Sequence, residues 1–145
     1  MIGSERVFSS EIPPLEGGLL KIAERARDMA ANSLGIRHPA YAVALQNLGL
    51  YYDAIENDAP KANKLFMQAR AVLQGNDLPL AYGFYWLGIF HNEVTQDGNR
   101  AEAALTEALA IQHRAVDSGD PQLAATMIAL DFAKNLPRTQ TEDGG

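Results

Sequence analysis

The apolar pattern of this chain repeats along its length, and that repetition limits the fold more than any other feature. Displaced by 39 residues, the middle of the 145-residue chain falls onto itself: Ala42 lands on Ala81, Leu45 on Phe84, Leu48 on Leu87 and Gly49 on Gly88. Further along, Ala62 lands on Ala101, Phe66 on Leu105, Ala69 on Ala108 and Val72 on Ile111. In these central copies small positions fall on small ones and large on large. A displacement of 43 residues extends the match in both directions. Leu19, Ala23, Ala26 and Met29 fall on Ala62, Phe66, Ala69 and Val72, while Ala81, Phe84 and Leu87 fall on Ala124, Met127 and Leu130. The displacement changes because the 35–39 and 118–121 linkers are longer than the 75–78 linker. Such a period marks stacked supersecondary units, each of which buries one face alone and needs neighbours to cover the other.

Within a unit the spacing is helical. Ala42, Leu45, Leu48/Gly49, Tyr52 and Ile55 recur at i, i+3, i+4 and i+7, as do Ala62, Phe66, Ala69 and Leu73. Gly35, Gly75 and Gly119 stand where helices should end, because glycine tolerates a left-handed C-terminal residue. His38-Pro39 and Asp120-Pro121 read as a cap followed by proline in the first turn, and Asp58 as the cap of a helix with Pro60 near its start. The pattern predicts six helices, at about 17–34, 39–56, 59–74, 78–95, 98–117 and 121–136. Short connections make sequential helices antiparallel neighbours. Residues 1–16 read as an irregular N-terminal arm and 137–145 as a flexible C-terminal tail.

The spacing resembles the tetratricopeptide repeat. One copy runs Leu45-x2-Leu48-Gly49-x2-Tyr52 and then Ala62-x3-Phe66-x2-Ala69; the next runs Phe84-x2-Leu87-Gly88-x2-His91 and then Ala101-x3-Leu105-x2-Ala108. The stretch SLGIRHPAYAVALQNLG, with its His-Pro and Leu-Gln-Asn-Leu-Gly elements, is similar to the longer variant of that repeat found in kinesin light chains. The likeness covers residues 19–136: two complete repeats, a lone second helix before them and a lone first helix after them. His91 departs from the usual aromatic, and Asp131 occupies the small-residue position of the third copy. The resemblance implies an all-α fold, an antiparallel helical-hairpin repeat array (a tetratricopeptide-like solenoid) with a right-handed superhelical twist. In it, Gly49, Gly88, Ala62, Ala69, Ala101 and Ala108 let paired helices approach closely, and Phe66, Leu105 and Leu45 fill the space between them.

The resemblance also implies that first helices line a concave groove that takes a peptide. Its offsets place Val43, Gln46, Asn47, Leu50 and Asp53 there from the first such helix. The second contributes Tyr82, Tyr85, Trp86, Ile89, Asn92 and Glu93, and the third Ala125, Ile128, Phe132 and Asn135. Aromatic side chains with a polar tip are common interface anchors, while Asn47 matches a position where the family often uses asparagine to hold a ligand backbone, and Asn92 is offered for the same task. The expected partner-binding set is Asn47, Leu50, Tyr82, Tyr85, Trp86, Ile89, Asn92 and Phe132. Whether Tyr85 and Trp86 belong to the groove or the core is open at this point, since a Tyr/Trp stripe at helical spacing also fits packing. No Lys or Arg occurs from His38 to Pro60 or from Ala71 to Asn99. Basic residues lie mostly on second helices, at Lys21, Arg25, Arg27, Lys61, Lys64, Arg70, Arg100 and Arg114. A protein or peptide ligand should therefore be apolar or basic rather than acidic.

Composition narrows the function classes. There is no cysteine, which removes disulfides, thiolate metal sites and a cysteine nucleophile. A formal charge of −6 disfavours nucleic acid and anionic membrane, both of which reward basic patches. No apolar stretch has the length of a bilayer span, and MIGSERVFSSEIPP lacks the basic-then-apolar order of a signal peptide, so a cytoplasmic location is expected. No H-E-x-x-H, Walker loop, dinucleotide fingerprint or nucleophile elbow is present. His38 reads as a cap, His91 stands at a packing position, and His113 is spaced to meet Asp117 at i, i+4 without a third ligand. We expect no enzyme activity, no cofactor and no metal. The expected function is a protein–protein interaction module. Its alternative is a self-associating structural or regulatory module, its groove filled by Val7, Phe8, Ile12 and Leu15 of its own N-terminus or by a second copy. A homodimer through a repeat end follows if Leu123, Met127, Leu130 and Ala133 pack inward and Ile128, Phe132 and Leu136 stay on the opposite face.

Overall fold

A computed structural model of the chain describes residues 15–138, with side chains from residue 18 onward. Expectations for the arm before residue 15, including Val7, Phe8 and Ile12, and for the tail after Arg138 lie outside the described residues. The described residues are all-helical, with no strand among them. Six α-helices follow in order: α1 (Leu15–Ser33), α2 (Pro39–Ala54), α3 (Ala59–Leu73), α4 (Leu78–Phe90), α5 (Gly98–Ala115) and α6 (Pro121–Lys134), with a π-helical turn (His91–Thr95) between α4 and α5. They form two compact units that divide between Leu73 and Gln74.

In the first unit, α2 packs against both α1 and α3. Its start is fixed locally: the backbone N–H of Ala40 donates to His38 Nδ1 at 3.0 Å, and Pro39 opens the helix where a missing N–H costs nothing. Asp58 accepts from the backbone N–H of Lys61 at 3.2 Å and starts α3 in the same way. Gly35 and Gly75 adopt φ of 99° and 94°, the left-handed ends expected of them. Gly119 does not: it is absent from the left-handed region, and α5 instead leaves the helix at Val116 in an extended conformation. Ending α5 at Ala115 also removes the helical spacing between His113 and Asp117.

The approach of paired helices rests on the two glycines. A Cβ on Gly49 would lie 2.5 Å from Cε1 of Phe66, and one on Gly88 would overlap Cγ of Leu105. The α2–α3 and α4–α5 pairs thus use one device, a hole on the first helix filled by a large side chain of the second. In the second unit, Ala101, Leu105, Ala129 and Ala133 form a buried cluster, with Tyr85, Ile89 and Leu130 packed against it.

Helix α6 turns inward the face expected of it at Leu123, Leu130 and Ala133, and departs from it at Met127. Leu123, Thr126, Ala129 and Ala133 are buried and Leu130 is half-buried, whereas Met127 is 51% exposed. The reason lies in the repeat itself. Ala124, Met127 and Asp131 correspond by the 43-residue displacement to Ala81, Phe84 and Gly88, the side of α4 that carries the Leu105 contact. No helix follows α6 among the described residues, and none of them covers Met127. Leu136 is half-buried rather than left outside, and its Cβ lies beside the Cβ position of Gly98. The expected tail also begins inside the fold. Arg138 donates from Nη1 to Asn99 Oδ1 and from Nη2 to Glu102 Oε1, both at 2.8 Å, tying the end of α6 to the start of α5.

Candidate functional site

The single helix predicted over 78–95 changes character at His91. Its backbone widens into a π-helical turn that ends on Gln96 in the left-handed region, with φ of 55°. His91 is fully buried, its ring edge-on to Phe90, and its Nδ1 lies 2.8 Å from Thr95 Oγ1. Thr95 Oγ1 also donates to the His91 carbonyl at 3.4 Å and accepts from the Asp97 N–H at 3.3 Å. Asp97 then caps α5 through the Arg100 N–H at 3.1 Å. His91 therefore stands in for the missing aromatic by packing, and its polar edge is met by the residue one π-turn ahead.

The neighbouring Asn92 corrects an expectation. It is buried, its Nδ2 donates to the Ala129 carbonyl of α6 at 3.1 Å, and its Oδ1 lies buried with no hydrogen-bond partner among the described residues. It holds α6 rather than a ligand. Gln46, another residue of the expected inner face, is also buried, because α2 lies between two helices and hides more of its circumference. Asn135 turns back on its own helix, donating to the Asp131 carbonyl at 2.8 Å.

The remaining residues sort by exposure. In the first unit, Val43 and Asn47 are exposed, and Leu50 and Asp53 half-buried. In the second, Tyr85 and Ile89 are half-buried against the Ala101–Leu105–Ala129–Ala133 cluster, and Ala125 is half-buried. Tyr82 and Trp86 are 57% and 49% exposed, and on α6 Ile128 and Phe132 are 71% and 53% exposed. The question left open for the aromatics resolves differently for each: Tyr85 serves the core, and Trp86 faces outward. The three rings are nonetheless one assembly. Trp86 meets Tyr82 edge-on with centroids 5.9 Å apart and Tyr85 with centroids 5.3 Å apart. Tyr85 thus braces the ring that the surface presents. Glu93 is exposed four residues beyond Ile89.

One contact near this surface escaped sequence reasoning. Asp77 stands at the N-cap position of α4, but its side chain makes no cap hydrogen bond. Arg114 Nη2 donates to both carboxylate oxygens, at 3.2 and 3.1 Å, and so links the start of α4 to the end of α5. Nothing in the local sequence around Asp77 signals a partner 37 residues away. Arg114 is mostly exposed, so the pair is screened and contributes about 1 kcal/mol or less.

Among the described residues no group of three or more His, Asp or Glu side chains is placed to hold a metal ion. No described helix is long and apolar enough to cross a membrane. Compared with protein-family models, with curated proteins and with solved structures, the chain matches none of them.

Proposed function

We propose that the chain is a non-enzymatic protein–protein interaction module of the tetratricopeptide type, acting in the cytoplasm, which takes a peptide or partner protein on the α4–α6 face of its second unit. The observation that carries this reading is the exposure of Tyr82 (57%), Trp86 (49%), Ile128 (71%) and Phe132 (53%) on two helices that pack together. Monomeric proteins seldom leave large apolar groups clustered in water, and aromatic anchors braced from beneath are typical of interface centres.

Selection of peptides from a random displayed library tests this reading. Peptides enriched on the wild-type chain should bind Trp86→Ala and Phe132→Ala about 10-fold or more weakly. The melting temperatures of both variants should stay near wild type, since half-exposed side chains contribute little to the core. Tyr85→Ala is a poor probe because its ring packs on the buried cluster. Failure to enrich any peptide over the Trp86→Ala chain would reject the proposal.

A second reading, self-association, draws on the uncovered face of α6, where Ala124 and Met127 are exposed. It requires a solution mass of twice 15.7 kDa. Light scattering at tens of micromolar that returns one such mass would discard it.

A further inference from the structure

We infer that the ligand of this face is a basic peptide segment with apolar anchors, drawn from another protein; the inference rests on the interaction reading above. Its starting point is where the charge lies. Residues 1–73 hold eight basic and eight acidic side chains, whereas residues 74–145 hold four basic and ten acidic ones. Over the described residues 74–138, which carry Tyr82, Trp86, Ile128 and Phe132, four basic side chains stand against eight acidic ones, and Glu142 and Asp143, outside the described residues, supply the other two acids.

The few cations of that unit are mostly engaged. Arg114 is held by Asp77, and Arg138 by Glu102 and Asn99. Arg100 is half-buried, which leaves Lys134 as the exposed lysine of the unit. Each ion pair cancels one acid against one base and leaves the negative excess intact. Glu93 follows the aromatic stripe of α4, and Asp131 precedes Phe132 on α6, both exposed. Among the described residues no Lys or Arg is stacked on Tyr82, Tyr85 or Trp86, in contrast to the first unit, where Lys61 Nζ sits 4.5 Å above the Tyr52 ring. Exposed electron-rich rings inside a negative field attract Lys and Arg through both cation–π contact and long-range steering.

The same charges decide against the other occupants. The chain's first 14 residues carry Arg6 against Glu5 and Glu11, and so bring no positive excess. A second copy would set one acidic unit against another, and like charge opposed across an interface is costly.

The test titrates the full chain with three synthetic peptide sets that share Leu and Phe anchors and differ in flanks of Lys/Arg, Ser/Thr or Glu/Asp. At about 50 mM salt the Lys/Arg set should bind about 10-fold more tightly than the Ser/Thr set, and the gap should shrink several-fold near 500 mM. The double variant Glu93→Gln/Asp131→Asn should narrow the gap between the Lys/Arg and Ser/Thr sets. Equal binding of the Lys/Arg and Ser/Thr sets, still lost in Trp86→Ala, overturns the charge inference and leaves the interaction reading standing. Binding of no set, or binding indifferent to Trp86→Ala, overturns both. Tighter binding of a synthetic residue 1–14 peptide, or a stable dimer that excludes every set, overturns the inference in favour of the chain itself.

Discussion

The absence of one methyl group at Gly49 and at Gly88 sets how closely each helix pair can pack. In a free helix, glycine is worse than alanine by roughly 1 kcal/mol, so propensity alone predicts that Gly88→Ala stabilises the chain. The geometry demands the opposite. The new Cβ would overlap Cγ of Leu105, a branched carbon in a buried cluster that cannot swing aside. Overpacking of that kind costs about 1–3 kcal/mol, and we expect Gly88→Ala to lower the urea midpoint. Gly49→Ala should do so by less, since it meets the edge of the Phe66 ring, which can tilt. A raised midpoint for Gly88→Ala would contradict this packing. Both glycines were legible in the sequence because each recurs in register with a large residue on the following helix. The burial of Gln46 and Asn92 was not, because an inner-face offset says nothing of which neighbour leans over the position.

At the scale of elements, helix starts were legible because caps act within three residues: His38, Asp58 and Asp120 all accept the expected backbone N–H. Helix ends were less so, and two elements departed for tertiary reasons. Helix α6 leaves Met127 exposed and buries Thr126 and Ala129 instead, and the end of the 78–95 helix widened around a buried histidine. The Thr95 hydroxyl holds that widened turn by meeting His91 Nδ1. Thr95→Val keeps the shape and β-branching and removes the hydroxyl, so it should destabilise the chain by about 0.5–1.5 kcal/mol, the net worth of one part-buried hydrogen bond. Thr95→Ser should retain most of the stability. Thermal unfolding of the two variants side by side checks this, and equal losses would show that the methyl group, rather than the hydroxyl, holds the turn.

At the scale of the whole molecule, the chain divides its labour between two units that share a helical-hairpin design and differ in surface. The first is electrically balanced; the second gathers the acidity and the exposed aromatic groups. The charge excess could be counted from the sequence but had no address until the division at residue 73 was known. The aromatic stripe was legible from its spacing, yet its split into a core residue, Tyr85, and a presented one, Trp86, needed the packing of α6. Trp86 is the chain's only tryptophan, so its indole signal reports on that face alone. The most direct measurement is therefore the fluorescence of Trp86 during titration with the Lys/Arg-flanked peptides. A saturable shift of its emission to shorter wavelength, with a Kd matching that from an independent binding assay, is the expected result. Saturable binding that leaves the Trp86 emission unmoved would contradict the assignment of this face as the interaction surface.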